Sequence, residues 1–127
     1  NHTSVLGYVS HTEALKYQQA SQVLLLIEID ESYTKCIVPG KLFEYLLANR
    51  PIIGIGPEGA DFKTIISETN AGSHFNYNDK DKLKTTLIHY YNLYKEQQLV
   101  THSKGIEKYS REYLTKTLAK VIMSYKK

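Results

Sequence analysis

Val23-Leu24-Leu25-Leu26-Ile27-Glu28-Ile29 opens the stretch that decides the fold. It is apolar at successive positions, as expected of a central parallel strand covered on both faces. A polar link over residues 30–38 follows. Pro39 then opens a helix, because a first-turn residue loses nothing by lacking an N–H donor. Leu42, Phe43, Tyr45, Leu46 and Leu47 make its apolar stripe. Asn49 or Arg50 ends it, since the residue before Pro51 is pushed out of helical geometry. Ile52-Ile53-Gly54-Ile55-Gly56 is the next strand. Strand, helix, strand at this spacing is the unit of a parallel sheet.

The flanks extend the pattern. Val5-Leu6-Gly7-Tyr8-Val9 is expected to be a first strand. Ser10 with Glu13 three residues later matches a capping box, and Ala14, Leu15, Tyr17 and Gln18 follow helical spacing. After the turn Pro57-Glu58-Gly59, residues Ala60, Phe62, Ile65 and Ile66 give a helix that ends near Gly72. Ser73-His74-Phe75-Asn76-Tyr77 suits an edge strand. Asn78 or Asp79 caps a long helix through Leu83, Leu87, Ile88, Tyr91 and Tyr94. A last helix spans about residues 107–125, with Tyr109, Tyr113, Leu114, Leu118, Val121 and Ile122 on one face. The expected class is α/β, a Rossmann-like parallel sheet flanked by helices. Crossovers should be right-handed.

Composition narrows the function classes. The chain has 127 residues, which is one domain. Hydrophobic residues make up 42% and charged residues 23%, so the chain is globular, not disordered or rod-like. The net charge of +3 is mild and spread out, which argues against nucleic acid as a partner. No apolar run reaches the roughly 18 residues of a membrane span. Lys126-Lys127 is too short for a membrane patch. The one cysteine, Cys36, excludes an internal disulfide and a cysteine-rich zinc site, and suits a reducing compartment. His2, His74, His89 and His102 show no ligand spacing, so no metal is expected. The eleven tyrosines are mostly amphipathic packing residues. The chain starts at Asn1-His2-Thr3-Ser4, with no initiator Met or signal-peptide pattern. It is therefore expected to be a piece of a longer protein.

Ligands of open parallel sheets bind outside the carboxyl ends of the strands. That rule points to residues 9–12, 29–41 and 56–60. The second loop holds the densest chemistry: Ile37-Val38-Pro39-Gly40-Lys41-Leu42-Phe43-Glu44. A helix N-terminus offers free N–H groups and partial positive charge, which suits phosphate. Gly40 allows close approach to the backbone. Lys41 adds a point charge for phosphate oxygens. Glu44 lies one turn on, where a carboxylate can accept two hydrogen bonds from a vicinal diol such as ribose. The plain alternative is a surface Lys–Glu pair worth about 0.2–0.5 kcal/mol. His11 follows the first strand and is either a ligand contact or an exposed cap residue. Glu58 and Gly59 belong to a glycine-bearing turn that either admits a ligand or is simply a turn. Tyr33 and Thr34 either line a pocket or are solvated, and Cys36 offers a chemical probe.

The run Pro39-Gly40-Lys41-Leu42-Phe43-Glu44-Tyr45-Leu46-Leu47-Ala48-Asn49-Arg50-Pro51-Ile52-Ile53 resembles the "Pro-small-Lys-Leu-Phe-Glu-Tyr-Leu-Ala … Pro-Ile" segment of group-1 sugar-nucleotide glycosyltransferases, which have the two-Rossmann-domain (GT-B) architecture. Leu6-Gly7-Tyr8-Val9-Ser10-His11 and Ala20-Ser21-Gln22-Val23-Leu24-Leu25-Leu26 resemble that family's "Gly-Tyr-Val-Ser/Pro-His … Ala-Asp-Val-Leu-Leu" pattern. Ile65-Ile66 to Asn70-Ala71-Gly72 resembles its "Ile-Ile-Glu … Asn-Ala-Gly" segment. The resemblance covers about residues 5–125, with the pieces in order.

The resemblance implies a partial C-terminal, donor-binding domain spanning residues 1–127. The glutamate matching Glu44 would hold the ribose of a nucleoside-diphosphate sugar. Backbone N–H groups around Val38, Pro39, Gly40 and Lys41, with Ile37 beside them, would meet the diphosphate. The loop carrying Tyr33, Thr34 and Cys36 would face the donor sugar. Transfer would be retaining and metal-independent, with the nucleotide sugar as substrate and no cofactor. Helix dipole and basic side chains would stabilise the leaving diphosphate. An N-terminal acceptor domain and the family's diphosphate-binding Arg and Lys would lie upstream, so the piece alone would not catalyse transfer. The implied setting is bacterial polysaccharide or glycoconjugate synthesis, cytoplasmic or peripheral to the membrane. Two positions depart from the family pattern: Cys36 stands where many members have a first glutamate, and Gln22 replaces an aspartate. The rivals are a sugar-nucleotide epimerase of the same architecture and a non-catalytic flavodoxin-like module. An uncovered face on the last helix and an unpaired sheet edge would favour self-association of the piece.

Overall fold

The computed structural model describes residues 2–125. Helix α1 (His11–Ala20) leads into strand β1 (Leu24–Ile27). Helix α2 (Gly40–Ala48), strand β2 (Ile52–Ile55), helix α3 (Asp61–Glu68) and strand β3 (Gly72–Phe75) follow, then helices α4 (Lys80–Lys95) and α5 (Arg111–Ser124). The sheet is parallel, in the order β1-β2-β3. Leu24 pairs with Ile52, and Ile52 with Gly72. The α/β class with a parallel sheet flanked by helices is thus what the sequence pattern led one to expect. Lys126-Lys127 lies outside the described residues.

The core is one cluster. Leu42 and Leu46 of α2, and Phe62, Ile65 and Ile66 of α3, pack with Leu26 and Ile52 of the sheet. Both helices therefore lie on the same face. Two consecutive crossovers of one hand along the order β1-β2-β3 require that. Partly buried Val38, Phe43, Tyr45, Ile106 and Tyr109 close the rim of the cluster.

Side-chain caps fix the starts of α1 and α5, whereas Asp79, at the start of α4, makes no side-chain cap bond. The Ser10 hydroxyl accepts from Glu13 N–H while the Glu13 carboxylate accepts from Ser10 N–H, the capping box the spacing predicts. Pro39 is the cap of α2 and Gly40 its first residue, so proline sits one place earlier than the first turn. Asn49 ends α2 in the left-handed region, with φ 53°. Ser110 caps α5, and the preceding residues Ile106–Tyr109 form a separate 3₁₀ turn, so the last helix starts later than its apolar spacing suggests.

Two strand expectations are corrected. Residues 5–9 form no strand among the described residues: Val5 and Tyr8 are 90% and 100% exposed, and Gly7 turns the chain with φ 68°. An extended run becomes a strand only where a neighbour takes its N–H and C=O groups, and among the described residues β1 pairs only with β2. For the same reason β1 is an edge, not a central strand. Leu24 and Leu26 face the core, whereas Leu25 and Ile27 are half-exposed on the other face. The central, covered strand is β2.

Gly72 begins β3, where the sequence suggested only a helix stop. A Cβ there would stand 1.9 Å from the Ile52 carbonyl oxygen. Only glycine admits that approach of two backbones. Beyond the sheet, α4 and α5 leave apolar side chains open. Leu87, Ile88 and Tyr91 of α4, and Leu114, Leu118, Val121 and Ile122 of α5, are each about half exposed. The uncovered face on the last helix is therefore present.

Candidate functional site at the start of helix α2

A parallel β–α unit brings the start of each helix to the carboxyl end of the sheet. The start of α2 follows β1 in this way. Its cap residue, Pro39, makes no side-chain capping bond, and the first-turn N–H groups have no side-chain acceptor among the described residues. Leu42 N–H turns back to Pro39 C=O at 2.9 Å. Gly40 is exposed, and a Cβ built on it meets nothing within 4 Å. Lys41 is exposed beside it. The approach to these amides is open.

Glu44 sits one turn further along α2 and turns toward α1. Gln18 Nε2 donates to its Oε2 at 3.0 Å, and His11 Nε2 lies 3.2 Å from its Oε1. His11 and Gln18 are seven residues apart, two helical turns, and so share a face of α1. The Glu44 side chain is 34% exposed and His11 72%. The Gln18 bond, then the His11 contact, hold the Glu44 carboxyl below its ordinary value of 4.5, and the charge of Lys41 adds to them. An ionised carboxylate has about four lone-pair positions, so two contacts leave it able to accept more. The structure thus brings His11 and Glu44 together, and adds Gln18, which sequence reasoning placed only in a helical pattern. The seven-residue spacing on α1 was visible. Which residue on another helix it would meet was not.

The loop before α2 divides into two kinds of residue. Thr34 is 3% exposed, and its hydroxyl donates to the carbonyls of Ile29 and Glu31, both at 2.8 Å. It shapes the loop from inside and is not a surface residue. Tyr33 is 71% exposed, and Ile37 is exposed too. Cys36 is a free, exposed thiol whose Sγ donates to Tyr33 C=O at 3.7 Å. Val38 packs on the core rim. Lys35 C=O accepts from Asp61 N–H at 2.8 Å, which ties this loop to the start of α3.

The turn after β2 has a structural explanation. Cβ atoms on Gly54 and Gly56 would come within about 3 Å of the Phe62 ring, which is fully buried. Those glycines make room for Phe62. Gly59 turns the chain with φ 78° in open space. Glu58 pairs with Lys63 at 2.5 Å, and this bond holds its carboxyl low. Nearby, His74 packs edge-on against Phe62, and burial, then the charge of Lys63, push its imidazole down from 6.5. Tyr77 reaches back across the sheet end to donate to Glu28 C=O at 2.6 Å, a contact that no sequence motif announces.

Two adjoining cavities, about 260 and 390 Å³, lie at the opposite end of the sheet. Both are lined by Pro51, Leu99, Val100 and Thr101. The far end of α2, at Ala48 and Asn49, lines the second, but none of the residues singled out around the start of α2 lines either. Among the described residues no group of three acidic, histidine or cysteine side chains is placed to hold a metal ion, and no helix is long and apolar enough to cross a membrane. No family model, curated protein or solved structure matches the chain.

Proposed function

We propose that this chain is the donor-binding part of a glycosyltransferase and takes a nucleoside-diphosphate sugar at the start of α2. One observation carries the reading. A half-open carboxylate, Glu44, is kept ionised one turn beyond an uncapped helix start bearing Gly40 and Lys41. The two halves match the two ends of a nucleoside diphosphate. The carboxylate accepts from the ribose diol, and the helix amides with Lys41 receive the diphosphate. Tyr33, Ile37 and Cys36 lie on the open side of the loop, facing the sugar. When the sugar leaves, negative charge grows on the diphosphate, and the same amides and lysine stabilise it without reorganising. The resemblance of residues 39–53 to group-1 transferases supports the same assignment, and acceptor binding then belongs to another domain of a longer protein.

The test is a thermal-shift screen of the chain against UDP, GDP, ADP, CMP and their sugars, with Glu44→Ala alongside. A ligand at about 100 times its Kd stabilises by roughly 2.7 kcal/mol, which moves the midpoint of a domain this size by several degrees. A shift with one diphosphate that disappears in Glu44→Ala supports the proposal. A shift that survives Glu44→Ala unchanged refutes the role of Glu44. No shift with any nucleotide, in the chain and in a longer protein containing it, refutes the donor reading.

A further inference from the structure

Glu44 does not stand alone on its helix. Its Oε2 is taken by the Gln18 amide from inside the α1–α2 contact, while among the described residues Oε1 meets only the exposed His11 ring. Gln18 makes this bond at a cost: its own Oε1 is buried and has no hydrogen-bond partner among the described residues. Turning the amide over would set that oxygen against the carboxylate and lose the bond. The amide orientation is therefore fixed by an ionised Glu44, and the carboxylate orientation by Gln18.

Building on the donor reading above, we infer that Gln18 is a positioning residue, which locks one oxygen of Glu44 so that the other faces outward to receive a ribose hydroxyl. The exposed His11 ring is the group the hydroxyl displaces or shares. Gln18 itself is not in contact with ligand. Its effect must therefore appear only on ligands that carry the diol.

The experiment is calorimetric titration of the chain with UDP, GDP and ADP, and with the 2′,3′-dideoxy form of each. Gln18→Met removes the donor with little change of volume, and Gln18→Lys restores a donor. The expected result is an affinity loss of about five- to ten-fold for the ribonucleotide in Gln18→Met, the scale of one hydrogen bond. The dideoxy affinity stays unchanged, and Gln18→Lys recovers the ribonucleotide affinity. A ligand-free readout accompanies it: an NMR titration of the Glu44 carboxyl, whose midpoint rises in Gln18→Met. Equal losses on ribose and dideoxy ligands would mean a merely structural role and overturn the inference. So would an unchanged ribonucleotide affinity in Gln18→Met while Glu44→Ala abolishes binding. If ribose and dideoxy ligands bind the parent equally, or Glu44→Ala binds as the parent does, or neither the chain nor a longer protein containing it binds any of them, the donor reading falls and takes the inference with it.

Discussion

Gly72→Ala should cost more than any other glycine-to-alanine change in the sheet. The added Cβ would lie 1.9 Å from the Ile52 carbonyl oxygen and 2.6 Å from the Ile52 nitrogen, where real Cβ atoms keep at least 3.0 Å. The obstacle is backbone of the central strand, which cannot swing aside as a side chain does. β2 and β3 must part locally by about 1 Å, against a usual spacing of about 4.8 Å. That breaks the bond from Ile52 N–H to Ala71 C=O, now 2.9 Å. Overpacking of this kind costs about 1–3 kcal/mol, and an orphaned buried donor about 1–3 more. A total of about 2–6 kcal/mol lowers Tm by roughly 6–25 °C. Two controls calibrate it. Gly54→Ala meets only the ends of Ile66 and Phe62, so its cost is nearer about 1–3 kcal/mol. Gly40→Ala meets nothing within 4 Å and should leave stability unchanged or raise it by about 0.4–1 kcal/mol. Calorimetric melting of the three variants is the assay. A Gly72→Ala midpoint within about 3 °C of the parent would refute the steric argument.

Three further outcomes follow from contacts elsewhere. Ser10→Ala removes one half of the capping box, and chemical denaturation should show a loss of about 1 kcal/mol with fraying of α1 by amide exchange. Thr34→Val removes a buried hydroxyl and its two bonds to the Ile29 and Glu31 carbonyls, so stability should fall by about 1–3 kcal/mol, and Cys36 should react faster with a thiol reagent as the loop loosens. The His74 imidazole is held below its ordinary 6.5, so the unfolded chain takes up the proton first; urea midpoints should fall as pH drops below 6.5, and His74→Gln should flatten that slope. Glu44, Glu58 and Asp79 are depressed carboxylates whose stabilisation is lost only at lower pH, below their ordinary values of about 4, so the two windows separate.

What the sequence made legible was what local chemistry decides. The Ser10–Glu13 box, the Pro39 start, the break before Pro51 and the apolar stripe of α2 each depend on residues within one or two turns. So the helices flanking the sheet, and Glu44 beside the start of α2, could be read directly. Pairing was not legible in this way. Residues 5–9 and 23–29 look alike as apolar runs, but one is solvated and the other is an edge strand, because a neighbour determines which run joins a sheet. The roles of Gln18 and Thr34 depend on which helix or carbonyl comes near in space. Gly54 and Gly56 read only as strand residues leading into a turn, and it is the distant Phe62 ring that explains them.

The edge position of β1 also sets a clock for solvent exchange. Leu24 and Glu28 donate their N–H groups to β2, at Pro51 and Ile55. Along a strand the donors alternate sides, so those of Leu25 and Ile27 point away from the sheet. In deuterated water the amides of Leu24 and Glu28 should persist, while their neighbours at 25 and 27 vanish early. A single strand would thus carry two exchange rates in strict alternation. Anything that came to pair with this edge, from within a longer protein or from outside it, would announce itself by slowing only the fast pair.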